Sequence, residues 1–506
     1  MSLLLKRRFK EKSEQHPLSP SMTVNVETIQ SIIGQSEDVT VRHFSLGKEP
    51  KVNATILYLD GLADLQNINS LLTQTILFPE GKQRTWPEII SFFEKSGDVT
   101  VHTTIDDAIK ALLNGLSLVF VEQYDRILAV EMLFTQERQV DIPTTENVIR
   151  GPKEAFVENL YVNMALVRRR IKDPHLRFDS WTFGERSQTK VMVTYISDVI
   201  NPTILTELES RLQRINTDAI QSSGDLEELI EDEFFTPFPT VYSSERPDVI
   251  TSHLLEGKIT LLIDGSPFPL VVPAPFVEFI HSAEDYTQRA DIGTLIRLLR
   301  FACIFVALFT PSLYVAVTTF HQELIPFNLM VSLAAQSEGT PFPTVVEVLI
   351  MELLFEIIRE ASIRMPLPVG QALAIVGALV IGTAVVEAGI ISSTVVIVVA
   401  LTAISSFVFP TYSIGVPFRI CRFIVLLFAS VYGLFGIFLF GMILLLHLSN
   451  LKSYGVPYLE GMSPFIRKEQ GDAIFRLPKW LLNTRPRFIP SDRTIRQKTP
   501  KPSKRL

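Results

Sequence analysis

Cysteine is nearly missing from this chain: Cys303 and Cys421 are the only two in 506 residues. Both lie in apolar stretches with no cysteine nearby, so the sequence offers no disulfide framework and no thiolate metal site; both read as small buried hydrophobes. Catalytic signatures are missing too. There is no G-x-x-x-x-G-K-[ST] for phosphate, no G-x-G-x-x-G after a strand, no H-E-x-x-H and no G-x-S-x-G. The eight histidines are scattered, with His281, His321 and His447 near the ends of apolar segments, where each reads as a satisfied side chain. These absences leave no basis for an enzyme, a metal site or a cofactor, and nothing in the net charge of −7 points to nucleic acid.

Basic residues are also scarce where the chain is most apolar. Residues 301–448 contain no lysine and only Arg359, Arg364, Arg419 and Arg422, whereas the first three hundred residues read as soluble protein. The whole chain is 47% hydrophobic and 20% charged, with a mean hydropathy of +0.27. That is too apolar for an ordinary soluble protein and too polar for one made only of membrane spans. The expected fold class is multi-domain: two similar α/β soluble domains with mixed sheets, then an α-helical polytopic membrane domain. The boundaries read as a disordered basic segment over 1–25, α/β domains over 26–149 and 150–290, a membrane domain over 291–450 and a basic tail over 451–506. The N-terminal MSLLLKRRFKEK lacks an apolar stretch long enough for a signal or anchor, which places the head in the cytoplasm.

Crossing a bilayer core of about 30 Å takes roughly 20 apolar residues. Four stretches qualify: 301–320, 367–386, 389–409 and 423–446. The first is expected to bend or break at Pro311. The second and third flank Glu387 as a tight turn, and Ala374, Ala378 and Gly382 form a small-residue stripe that lets another helix approach. Arg297 and Arg300 before the first span, and thirteen Lys or Arg against four Asp or Glu in residues 452–506, put both ends in the cytoplasm and demand an even number of crossings. The tail itself reads as disordered and able to hold anionic headgroups.

Between the first two spans lies TPFPTVVEVLIMELLFEIIREASIRMP, helical by period over 343–361. Glu352, Glu356 and Glu360 recur at every fourth position and so share a face, with Glu347 upstream and Arg359 three residues beyond Glu356. Two readings stay open. Carboxylates at membrane depth line ion or substrate paths, whereas an amphipathic helix at the interface simply solvates them. Four spans plus a re-entrant or surface-lying acidic helix satisfy the even count, although Arg359, Arg364, Arg419 and Arg422 then face outward.

The head carries an internal repeat. LYLDGLADLQNINSLL (57–72) parallels TYISDVINPTILTELE (194–209), and LLNGLSLVFVEQYDRILAV (112–130) parallels LLEGKITLLIDGSPFPLVV (254–272). Each copy predicts strand, turn and helix, then a helix ending at Gly115 or Gly257 followed by a strand pair. Asp60 and Asp198 in the first pair read as helix caps. Near residue 150 the sequence starts a helix that ends in Arg168-Arg169-Arg170, read as a solvated C-terminus.

Several blocks carry a family resemblance: GPKEAFVENLYVNMALVRRRIKDPHL, VTYISDVINP, DGSPFPLVVPAPFVEFI with EDYTQRADIGTLIRLLRF, AAQSEGTPFPTVVEVLIMELLFEIIREASIRMP, and PVGQALAIVGALVIGTAVVEAGIISSTVVIVV. Over roughly residues 30–480 the chain resembles the A subunit of GerA-type spore germinant receptors of Bacillus-like endospore formers, whose architecture a stage V sporulation paralogue shares. The resemblance implies a protein of the spore inner membrane working with a transporter-like B subunit and a lipoprotein C subunit. It implies homo-oligomers forming a nutrient-gated cation channel. On the matching block, Glu352 and Glu356 would line the pore, Glu347 and Glu360 would sit nearer its ends, and Pro341, Pro343 and Pro366 would let the segment dip or hinge. An ion-release amplifier and a secondary transporter component are the alternative functions.

Overall fold

The computed structural model describes residues 18–34, 36–47, 51–75, 85–133, 142–365, 377, 380–463, 470–485 and 495–501. Pro366, Ala374 and Ala378 lie outside them.

The first domain comprises α1 (Met22–Ile33), β1 (Val39–Leu46), β2 (Val52–Leu59), α2 (Leu65–Gln74), α3 (Trp86–Phe93), β3 (Val99–His102), α4 (Ile105–Leu113), β4 (Ser117–Val121) and β5 (Ile127–Val130). The second runs through the same order: α5 (Leu160–Arg170), β6 (Leu176–Phe183), β7 (Thr189–Ile196), α6 (Pro202–Leu212), α7 (Ser223–Ile230), β8 (Tyr242–Ser243), α8 (Pro247–Glu256), β9 (Ile259–Ile263) and β10 (Leu270–Val272). Their sheets are ordered β1-β2-β4-β5-β3 and β6-β7-β9-β10-β8, so the repeat in sequence is a repeat in topology.

The sheets are not mixed as expected. Every described pairing in both is antiparallel. Their apolar runs mimic parallel strands because both faces are covered. In β2, Leu57 and Leu59 pack toward α1 and α4, while Ile56 and Tyr58 pack toward α2 and α3, the period-two alternation of a strand buried on both sides. Gly115 and Gly257 follow the helices as expected, with φ of 94° and 96°, the left-handed region glycine enters without a Cβ penalty.

Three further expectations change. The caps of α2 and α6 are Asp64 and Asn201, whose side chains accept backbone amides of the first turn; Asp60 instead accepts the Thr40 hydroxyl at 2.8 Å. The arginine-rich end of α5 is not uniformly solvated. Arg168 is 1% exposed and grips Asp38 of the first domain through Nε at 2.8 Å and Nη2 at 2.9 Å, so the two domains are joined by a buried bidentate pair. The start of the tail is folded as well: the hairpin of β11 (Lys452–Ser453) and β12 (Val456–Pro457) buries Tyr454 and Tyr458 against the second domain.

A helical region follows the head: α9 (Ala283–Thr287), α10 (Ala290–Thr319), α11 (Phe327–Ser337), α12 (Thr344–Arg364), α13 (Val385–Glu387), α14 (Ser393–Ser406), α15 (Tyr412–Tyr432) and α16 (Leu434–Asn450). Pro311 does not break α10, which runs unbroken for 30 residues. The expected fourth span is instead two helices. Gly433, at φ 61°, separates α15 from α16, and the Phe428 and Phe440 rings face each other at 5.9 Å across the resulting hairpin. Hydropathy hid this reversal because the chain is equally apolar on both sides of one glycine.

The hairpin lies beside α10, with Phe320 and His321 against Gly433 at the end remote from the head. At the head end Thr411 donates to the Phe279 carbonyl at 3.1 Å, and Phe418 meets Phe276 and Phe238. The apolar core of the second domain thus continues into the helices through Ile304, Leu308, Ile414 and Phe418. Among the described residues two helices, Ala290–Thr319 and Tyr412–Tyr432, are long and apolar enough to cross a membrane; Ser393–Ser406 and Leu434–Asn450 are shorter apolar helices.

Candidate functional site

The acidic segment forms α12, 21 residues from Thr344 to Arg364, entered from Pro343 as N-cap; Pro341 lies just before it. Four of its residues, Glu347, Val348, Met351 and Glu352, are buried. Val348 and Met351 are buried against Val315 of α10, Val395 of α14 and Leu426 of α15 at the end remote from the head.

Around this helix the glutamates separate. Four residues advance a 3.6-residue helix by slightly more than a turn, so an every-fourth-residue row drifts sideways. Glu352 is 1% exposed, Glu356 21% and Glu360 58%. Glu360 pairs with Arg364, at 2.6 Å on the exposed side. Glu347, on another face and 2% exposed, accepts the Ser392 backbone amide at 3.0 Å, at the start of α14. There its charge meets the unsatisfied donors of a helix N-terminus.

The structure brings Glu352 and Glu356 together with three arginines. Arg422 of α15, 1% exposed, lies 2.9 Å from Glu352 and 3.0 Å from Glu356. Arg419, one turn earlier, reaches Glu356 at 3.1 Å, and Arg359 lies 3.5 Å from it. Arg359 also donates to Ser406 Oγ at the end of α14 at 2.5 Å and stands over the Phe355 and Phe407 rings. Two carboxylates and three guanidinia thus bind α12, α14 and α15 at one level. Charges so far from water persist only when paired. Arg419 and Arg422, which the four-span count turns outward, instead face inward to these glutamates. Their one-turn spacing in an apolar run, matched to the one-turn spacing of Glu352 and Glu356, is the signal that could have paired them. Gly382 lies in a π-helical turn, Val380–Ala384, away from this network, and a Cβ added there would meet nothing.

A second charged cluster ties the helices to the head. Arg297 and Arg300, expected as cytoplasmic flanking charges, are 0% and 7% exposed and turn inward to Asp285 of α9. Arg300 contacts both carboxylate oxygens, at 2.7 and 2.8 Å, and Arg297 contacts Oδ2 at 3.0 Å. Burial raises the Asp285 carboxyl, but the Arg300 and Arg297 guanidinia outweigh it and hold it below its ordinary value. Arg297 also reaches Asp472 of the tail at 3.3 Å, and Tyr286 donates to the same carboxylate at 3.0 Å. Burial, partly offset by Arg297, raises Asp472 to about 6. His281 donates through Nε2 to the Ala473 carbonyl at 3.0 Å. His447 is satisfied by Thr236 at 2.8 Å.

His253, Glu256 and Glu278 bring possible ligand atoms within 4.8 Å of one another. Lys258, wholly buried, ion-pairs with Glu278 and lies 3.2 Å from His253 Nδ1. Its ammonium already supplies the cation, and burial followed by Lys258 drives His253 well below its ordinary value. The chemistry is that of a buried ion pair.

The family model described as Bacillus/Clostridium GerA spore germination protein matches residues 27–488. The chain belongs to the GerA family. Among GerA relatives it is 41% identical over 490 residues to spore germination protein KA of Bacillus subtilis, covering 96% of this chain and 90% of that one. It is 39% identical to spore germination protein GerLA of Bacillus cereus, covering 94% and 96%. It is also similar to the crystal structure of the N-terminal domain of the A subunit of the Bacillus megaterium spore germinant receptor GerK3, at 34% identity and a TM-score of 0.42 over 52% of this chain and 98% of that one. GerA membership covers the head, α12 and the hairpin alike, so the ion-pair network lies inside the matched family region.

Proposed function

We propose that this chain is the membrane-embedded A subunit of a spore germinant receptor. In this reading it works with a transporter-like B subunit and a lipoprotein C subunit in the spore inner membrane, and several copies enclose a nutrient-gated cation path. The observation that carries the reading is the buried Glu352–Glu356–Arg359–Arg419–Arg422 network, set among apolar helices of a GerA-family chain. A soluble helical domain gains little from such a network. In a bilayer it orients and locks helices that have no hydrophobic drive to associate.

The proposed topology keeps the number of crossings even, and α10, α12, α14, α15 and α16 are its crossings among the described residues. The hairpin at Gly433 supplies the extra crossing that keeps the count even when α12 also spans. Arg364 and the start of α15 then fall on the head side, in accord with the positive-inside rule. Glu352 and Glu356 serve in the wall of the path by fixing α12 to α15, and the exposed face carrying Leu353, Ile357 and Glu360 turns toward the axis or a neighbouring subunit. Nutrient held by the B subunit opens the path by as much as it discriminates between two packings of α12.

The test is cation release from spores in which this subunit carries Glu352→Gln, Glu356→Gln or Glu360→Gln. The first two are expected to shift the nutrient threshold by loosening α12, and Glu360→Gln to lower the rate of cation release. Unchanged release from all three, at normal protein levels, would overturn the role of α12.

A further inference from the structure

The loop between α7 and β8 ends in two bare aromatic rings. Phe234 and Phe235 are 70% and 88% exposed and stand edge to face, 5.3 Å apart. The loop beneath them is pinned on both sides. Asp232 holds Arg211 at 2.7 Å and accepts the Tyr454 amide at 2.8 Å. Thr236 bonds His447 near the end of α16 at 2.8 Å, and Phe238, 2% exposed, packs edge-on against Phe418 of α15 at 5.7 Å. The two rings are therefore held at the place where the head meets the helices.

That place is the rim of an apolar surface. Leu445 and Leu446, immediately before His447, are 58% and 65% exposed, and Tyr412 at the head end of α15 is 64% exposed. Single exposed apolar residues are ordinary, but a fixed aromatic pair continuing an apolar belt marks a contact surface. Phenylalanine, tryptophan and leucine side chains bury at the boundary between headgroups and acyl chains when a protein lies on a bilayer. We infer that Phe234 and Phe235 dip into the headgroup region of the bilayer on the head side and fix the height of the second domain above it. The inference rests on the membrane reading of the helices given above. Exposed Glu233 beside the pair means that the contact is with apolar and zwitterionic lipid, and anionic headgroups weaken it.

The test uses the full chain with Trp86, Trp181 and Trp480 replaced by Phe, reconstituted in phosphatidylcholine vesicles containing brominated lipid. Single tryptophans are placed at Phe235, at Phe438 on the exposed side of α16, and at Val101 in the first domain. The expected result is loss of emission at 235 to lipid brominated near the headgroup, loss at 438 to lipid brominated deep in the chains, and none at 101. Adding phosphatidylglycerol is expected to reduce the loss at 235 only. Quenching at 438 without quenching at 235 overturns the loop contact while leaving the membrane reading intact. If iodide also fails to quench the Phe235→Trp variant, a protein surface covers the loop and the lipid contact is equally overturned. Absence of lipid quenching at 438 defeats the membrane reading and this inference with it.

Discussion

Arg422 is the residue on which the candidate site turns, because among the described residues it alone pairs with both Glu352, which is buried, and Glu356, which is partly exposed. Removing one member of a buried ion pair leaves the other charge without water or partner, a loss of about 3–5 kcal/mol, whereas replacing the pair by apolar groups of similar volume is nearly neutral. Arg422→Met and Glu352→Gln are each expected to destabilise the folded protein by about that amount. The double variant is expected to lose clearly less than the sum. Thermal unfolding in detergent gives the coupling, and strict additivity would mean that the pair does not interact. Asp285 makes a different prediction, about pH. Its folded carboxyl titrates below the unfolded one, so its contribution is fully present above the unfolded value and fades as pH falls through the folded one. Cleavage of the tail by an acid-tolerant protease is expected to rise below about pH 3.8, the unperturbed value. Asp285→Asn should expose the tail already at neutral pH, because Arg297 and Arg300 lose their shared partner.

At the scale of elements, one glycine decides whether the last apolar stretch is a span or a hairpin. Gly433 has φ 61° and ψ −137°, outside what L side chains adopt readily, and a Cβ there would lie 2.8 Å from His321 Cε1. Gly436 approaches closely as well, since its Cβ would collide with the Phe428 carbonyl. Gly433→Ala is expected to destabilise by about 1–3 kcal/mol through strain and crowding, and Gly436→Ala by more. Loss of monodisperse protein in detergent measures both, and wild-type behaviour of Gly436→Ala would refute the tight crossing. The repeat in the head was legible because its turn glycines and apolar strands recur at near-constant spacing: β6 begins 137 residues after β1. The antiparallel pairing was not legible. Helices on both faces erase the polar alternation that normally marks an antiparallel strand. The every-fourth-residue spacing of the glutamates implies a single face; their gradient of burial depends on neighbours α14 and α15, which no local pattern encodes.

At the scale of the whole molecule, two buried arginine–aspartate junctions connect parts that sequence reasoning drew as separate. Arg168 fastens the second domain to Asp38 of the first, and Arg297 with Arg300 fastens α10 to α9 and the tail. The sequence marked these arginines as helix-end or flanking charges, since their partners lie elsewhere: Asp38 is 130 residues from Arg168. A head built this way is tied by ion pairs from the first domain through to the start of α10, so a displacement of the first domain has a mechanical route into the helices. Arg168→Ala cuts that route at its outer joint, leaving Asp38 buried without its cation. The first domain is then expected to loosen before the second, so hydrogen exchange should quicken in β1 and β2 while β7 and β9 keep their protection. Uniform quickening across both sheets would instead mean that the head unfolds as one cooperative unit, with the Arg168 bridge serving the common core and not a joint between two bodies.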